Sequence, residues 1–388
     1  MGIRSSVLGW RVTVGASVLA ICAGVTAQDS PRLRTILPSG SIVYAENMPQ
    51  ARYLSVQLVA SASGVRETAE SHGLRHMLEH ILAKGPDKSL DLRLETQGLF
   101  LTAETHRDAM IFSIVGPTEK LELALAAVRD LLQPLKTDAA EIQREVKILA
   151  EELALSSPSM RMSKAAWAAS YGAEGLDPVG NVEGWSKATP EKLEFLRRRH
   201  FAAQNLVISI CGNLDVDIAT RAARALLPKE RDPFEPDPSR RTIGRSANIS
   251  EANGSARAAA CPGWDDPETA ALLAAGLALS GERDQGFMIY TPSVMPGLIT
   301  VGDHQDGIGA WIDGLNPAQI DGMFGLGRAA ADAWVRRKLE SPETNAHLRG
   351  FLYAQNREAT PEAMLENIRS MTLVQFRAAI AKFRGGKN

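Results

Sequence analysis

His76, Glu79 and His80 are the residues whose types and spacing point most directly to chemistry. They fall within His76-Met77-Leu78-Glu79-His80. On a helix with Leu74 at 0°, Leu78, Ile81, Met77 and Leu82 lie within about 80° and form an apolar stripe. His76, His80 and Glu79 fall at about 200°, 240° and 140°, on what reads as the solvent-facing edge. Imidazoles at i and i+4 are about 6 Å apart along the axis, so both can reach one metal ion. Glu79 shares their face and is placed to accept a proton from metal-bound water. A solvated helix face is the competing reading of these five residues alone. His72 extends the series, but it lies about 12 Å along the axis from His80, too far for one ion. It precedes Gly73 and reads as a residue of the helix cap.

A catalytic zinc takes three protein ligands and leaves one position for water. The segment 141–153 supplies a candidate third ligand. Ile142, Val146, Leu149 and Leu153 form its apolar stripe, with Glu145 and Glu152 flanking it at about −60° and −80°. Glu151 points away. Glu152 is the expected ligand, and Glu145, two turns earlier, is expected to support a His ring nitrogen. An ordinary charged helix edge is the alternative, which the His pair outweighs. Three Cys exclude a disulfide scaffold and a Cys-rich zinc module, so any metal must be held by His and carboxylates. Lys plus Arg number 43 against 45 Asp plus Glu, a balance that speaks against a nucleic-acid surface.

These residues need elements to position them. Strands are expected over 41–47, 53–61, 100–105, 109–115 and 206–211. Helices are expected over 71–84, 89–97, 118–134, 138–156, 158–171, 189–200 and 218–227. Strands with helices packed on one side describe an α+β sandwich. Residues 28–228 are read as a first domain and the charged, Pro-rich 229–248 as a linker. Residues 249–388 are read as a shorter second α+β domain, and 388 residues suit two domains. Residues 1–27 carry Arg4 and Arg11, an apolar run and small residues before Gln28, the pattern of a signal peptide cleaved near Ala27. Periplasmic or secreted export is therefore expected; lipoprotein processing at Cys22 is the weaker reading. No later segment is apolar enough to span a membrane. Cys211 and Cys261 are favoured as two separate buried thiols over a disulfide.

The chain resembles the pitrilysin/insulinase metallopeptidases, inverted zincins that include the mitochondrial processing peptidases. Residues 73–85 are similar to that family's zinc-helix signature, and 145–152 to its second element, with two glutamates seven apart. Leu101-Thr102-Ala103-Glu104-Thr105 resembles the edge strand that pairs with substrate backbone near Ala103, with Thr102 where the family commonly has Asn. Residues 177–181 and 205–212 fit later family positions.

The resemblance implies two homologous sandwich domains in a clamshell, the second shortened here. It implies one Zn2+ per chain held by His76, His80 and Glu152, with Glu79 as general base. Arg283 and Tyr290 have the seven-residue spacing of a substrate-binding Arg/Tyr pair, although coincidence is favoured. The implied function is an exported zinc metalloendopeptidase acting on peptides or unfolded segments. It would work alone, as a homodimer, or as the zinc-bearing subunit beside a homologous partner with the Arg/Tyr pair. A non-catalytic scaffold or chaperone-like subunit is the alternative, and a purely structural zinc site is a minor third.

Overall fold

The computed structural model describes residues 31–384 except 66, 235–239, 241, 252–253 and 306. The expected signal segment 1–27, with Cys22, lies outside the described residues. Six strands build the first sheet: β1 (Arg32–Ile36), β2 (Ile42–Asn47), β3 (Tyr53–Ser61), β4 (Phe100–Thr105), β5 (Ala109–Pro117) and β6 (Leu206–Gly212). Their order is β1-β2-β6-β3-β5-β4, antiparallel except for the β2–β6 pair. The first half also supplies helices α1 (Leu74–Ala83), α2 (Leu90–Glu95), α3 (Leu121–Leu131), α4 (Ala139–Ala154), α5 (Pro158–Tyr171), α6 (Val182–Trp185), α7 (Pro190–His200) and α8 (Val216–Arg224).

A second, antiparallel sheet has the order β7-β8-β10-β9, from β7 (Ala247–Glu251), β8 (Gly254–Cys261), β9 (Gly286–Ile289) and β10 (Gly297–Asp303). Its helices are α9 (Pro267–Gly281), α10 (Ile308–Gly314), α11 (Pro317–Glu340), α12 (Pro342–Gln355), α13 (Pro361–Ser370) and α14 (Leu373–Phe383). The result is an α+β fold with two helix-covered sheets. Among the described residues no helix is long and apolar enough to cross a membrane.

Side chains alternate along a strand, and here both faces of the first sheet are apolar. Val43, Ala45, Val56, Leu58 and Ala60 join a core with Met77, Leu78, Ile142 and Leu149 of α1 and α4. Ile42, Tyr44, Val59, Ile111 and Val207 face the other way, onto Ala346, Phe351 and Tyr353 of α12. Helices were expected on one side only. The structure differs because α12, far along the chain, returns to cover the second face. Gly350 makes this approach possible: a Cβ there would come within 3.0 Å of Val59 and 3.1 Å of Ser209.

A reciprocal arrangement covers the second sheet, where Ala166 and Trp167 of α5 pack against Ala247, Ala258, Ala260 and Leu298. Each half thus lends a helix to the other's sheet. The segment 229–248 also has an anchored point. Arg240 is buried, donating from Nη2 to Asp108 Oδ2 at 3.0 Å and from Nε to the Pro296 carbonyl at 2.7 Å. Cys211 in β6 and Cys261 in β8 are buried free thiols in different sheets.

Arg349, only 3% exposed, ties α12 into this frame. Its Nη2 donates to Glu362 Oε1 at 2.8 Å, its Nε donates to Asn345 Oδ1 at 2.9 Å, and Nε stands 3.3 Å from Glu46 Oε2. Burial alone would raise the Glu362 carboxyl, but the Arg349 guanidinium outweighs it and holds the pKa at about 2. This contribution is present above the ordinary carboxyl range and is lost as pH falls toward that value. Replacing Arg349 by Met leaves two carboxylates without their shared cation and should cost about 3 kcal/mol in urea denaturation at neutral pH. Unchanged stability would show that the network contributes little.

Candidate metal centre

The centre is built where α1, α4, the end of β4 and the loop after α5 meet. Helix α1 begins at Gly73, whose φ of 85° is left-handed and suits glycine. A Cβ there would stand 2.6 Å from Gly180 Cα and 2.8 Å from the Val179 carbonyl oxygen. Glycine therefore lets the 177–181 loop close on the start of α1. His72, just before it, is held by the Asp177 carbonyl at 2.6 Å and by Asn181 Nδ2 at 3.2 Å, in keeping with a cap-region role. Helix α4 starts where Asp138 accepts a hydrogen bond from the Glu141 N–H at 2.8 Å, which sets the phase of Glu145 and Glu152.

The structure brings His76, His80 and Glu152 together, with one ligand atom from each all lying within 4.8 Å of one another. Glu152 Oε2 is 3.6 Å from His76 Nε2 and 3.4 Å from His80 Nε2. Bonds of about 2.0–2.1 Å to a tetrahedral ion imply ligand–ligand edges of about 3.4 Å, so this donor set fits a divalent cation. Each outer nitrogen has its own partner: His76 Nδ1 lies 3.2 Å from the Val179 carbonyl, and His80 Nδ1 3.2 Å from Glu145 Oε2. Outer acceptors of this kind orient a ligating imidazole and raise its basicity. The Lys84 ammonium donates to Glu145 Oε1, which offsets the cost of a fully buried carboxylate.

One expectation needs correction. Glu79 and His80 are not on a solvent-facing edge: they are 6% and 5% exposed, and His76 is half-buried. The polar face of α1 closes against α4 and β4 instead of water. Glu79 Oε2 accepts a hydrogen bond from Thr105 Oγ1 at 2.5 Å, at the end of β4. That strand is the sheet edge, and Ala103 lies on it, paired in register with Phe112.

The C-terminal pair is placed elsewhere. The segment around Arg283 and Tyr290 contains strand β9. Arg283 donates from Nε to Asp303 Oδ2 at 2.7 Å. Tyr290 is buried in the second core, stacked on Trp264 at 6.5 Å between ring centroids. Both residues make these contacts within the C-terminal half.

Electrostatics favour a cation here. Burial lowers the His80 pKa, but hydrogen bonds to Glu145 and Glu152 and the Glu79 charge outweigh it and raise it to about 9. Burial pushes Glu152 and Glu145 up; their contacts with His80, and for Glu145 also Lys84, bring both below the ordinary carboxylate value. Sequence reasoning missed Thr105, Lys84 and the Val179 carbonyl as participants. The first two stood inside motifs already singled out, whereas a backbone acceptor carries no side-chain signature.

Fold and site together define a two-sheet α+β protein in which His76, His80 and Glu152 form a candidate metal site. Residues 42–175 match the family described as Insulinase (Peptidase family M16). The chain is similar to an uncharacterized zinc protease of Streptomyces coelicolor, 25% identical over 231 residues covering 56% of this chain and 50% of that one. It is 30% identical to the mitochondrial-processing peptidase subunit beta of Neurospora crassa over 122 residues, 30% of this chain and 26% of that one. The chain thus spans about half, or less, of the length of the curated relatives it matches. A protease from Helicobacter pylori shares the fold with a TM-score of 0.74 at 14% identity, over 91% of this chain and 97% of that one. A peptidase M16 inactive domain from Pseudomonas fluorescens does so with a TM-score of 0.68 at 16% identity, over 91% and 95%.

Two outcomes follow for metal binding. Glu145→Gln should weaken Zn2+ binding about 10–100-fold in a competition titration, because His80 loses its charged acceptor. In the metal-free protein His80 carries a proton below about pH 9, and a ligating imidazole must be neutral. Zn2+ binding at pH 7 should therefore release close to one proton, read by calorimetry in buffers of different ionisation enthalpy. Affinity should rise with pH until about 9.

Proposed function

We propose that this chain is a zinc metalloendopeptidase that hydrolyses peptides or unfolded polypeptide segments. One observation carries the reading: two imidazole Nε2 atoms converge on one Glu152 oxygen while both Nδ1 atoms are held by outer acceptors. His76, His80 and Glu152 would hold one zinc ion, which supplies Lewis acidity for polarising a carbonyl and making water a stronger acid. Glu79 accepts the water proton at its carboxylate and returns it to the leaving amine. The Thr105 hydroxyl, donating to Glu79 Oε2, orients the base during both transfers. An extended peptide adding to the open edge of β4 near Ala103 would pass beside Glu79, held through main-chain hydrogen bonds that tolerate varied sequence.

Export after cleavage near Ala27 is part of this proposal, resting on the N-terminal pattern alone. So is the relation between the halves: we read them as diverged copies in a clamshell, a reading supported by the reciprocal lending of α5 and α12. With Arg283 and Tyr290 engaged elsewhere, a homologous partner chain or a second copy is the proposed source of further substrate contacts. The inactive domain among the fold's neighbours favours one second reading, a non-catalytic scaffold subunit. The complete ligand and base set weighs against it.

Glu79→Gln decides between the two. The variant should keep its zinc, measured by metal analysis, and lose about 100-fold or more of its cleavage of quenched peptides, the range expected for removing a general base. Cleavage undiminished in the variant, or absent from the wild type with and without a partner chain, would contradict the peptidase reading.

A further inference from the structure

A second set of ligating side chains lies on the opposite side of β4. Thr105 faces Glu79, whereas Glu104 and His106, its neighbours in sequence, face the helices of the C-terminal half. There they meet His347 of α12, whose ring stands nearly perpendicular to that of His106, with centroids 5.9 Å apart. Phe351 packs on both rings. A carboxylate oxygen of Glu104 and one nitrogen from each histidine all lie within 4.8 Å of one another. His106 Nε2 is buried and makes no hydrogen bond, although Glu104 Oε2 is 3.0 Å away.

We propose that Glu104, His106 and His347 form a second divalent-cation site, distinct from the one on α1, that links the edge strand to α12. Two imidazoles and one carboxylate suit Zn2+ and its first-row neighbours and not the all-oxygen preference of Ca2+ or Mg2+. Glu343 lies one turn before His347 on the same face of α12 and adds a carboxylate to this region. Its pKa is raised by burial and by the Glu104 charge. Lys338 of α11 also faces Glu104, and burial lowers its pKa. That ammonium competes with an incoming ion, so the second site is the weaker of the two. An ion bound there would fix the end of β4, whose Thr105 holds Glu79.

Equilibrium dialysis of the full chain against Zn2+, with metal counted by mass spectrometry, tests this without an activity assay. The wild type should bind two equivalents, one tight and one weak. Glu104→Gln, at an exposed strand position that leaves the fold intact, should bind only the tight one, as should His347→Ala. His76→Ala should keep the weak equivalent, so the two metal assignments fail independently. A single wild-type equivalent that His76→Ala abolishes, or two equivalents retained by both Glu104→Gln and His347→Ala, would overturn the second site.

Discussion

The outer nitrogens of His76 and His80 are each held by a fixed acceptor, and the rest of the site depends on that constraint. An imidazole whose Nδ1 is occupied presents Nε2 as its free lone pair in a set direction. For His76 the acceptor is a backbone carbonyl, which requires the 177–181 loop to lie against α1, which in turn requires glycine at 73. For His80 it is a carboxylate with no exposure, which requires Lys84 beside it. Glu152 then follows from Glu145, because residues seven apart share one edge of α4.

The same economy governs the larger frame. Both faces of the first sheet are apolar, so neither can be left to water, and α12 closes the face that the first half leaves open. Strand β4 is, with β1, one of the two edges of this sheet. Its end touches the candidate base, so the open hydrogen-bonding groups and the chemistry lie side by side. A buried ionic network around Arg349 holds α12 in register with β2 and α13.

Much of the site was legible in the sequence because helical periodicity converts spacing into direction. His76, Glu79 and His80 on one face, and Glu145 with Glu152 on another, came from 100° per residue alone, and the structure brings His76, His80 and Glu152 together. What the same rule misjudged was environment. A polar helix face is read as facing water, yet the polar face of α1 is buried against α4 and β4. Burying charged groups is tolerable here because they compensate one another. The Val179 carbonyl was invisible because every residue has one. The cover provided by α12 was invisible because it is a contact between residues some 290 positions apart, marked only by a glycine at 350. Strand β1, with its Arg-Leu-Arg-Thr-Ile pattern, was missed because an edge strand alternating charge with apolar residues gives a weak signal.

The proposed centre holds one ion through His76, His80 and Glu152 and leaves a position open for water. Anomalous diffraction at the zinc edge from crystals of the zinc-loaded protein tests it most directly. The expected result is a peak bonded to both Nε2 atoms and to Glu152, with a light-atom ligand completing the tetrahedron. A peak absent from that position, or a fourth protein ligand closing the coordination, would contradict it.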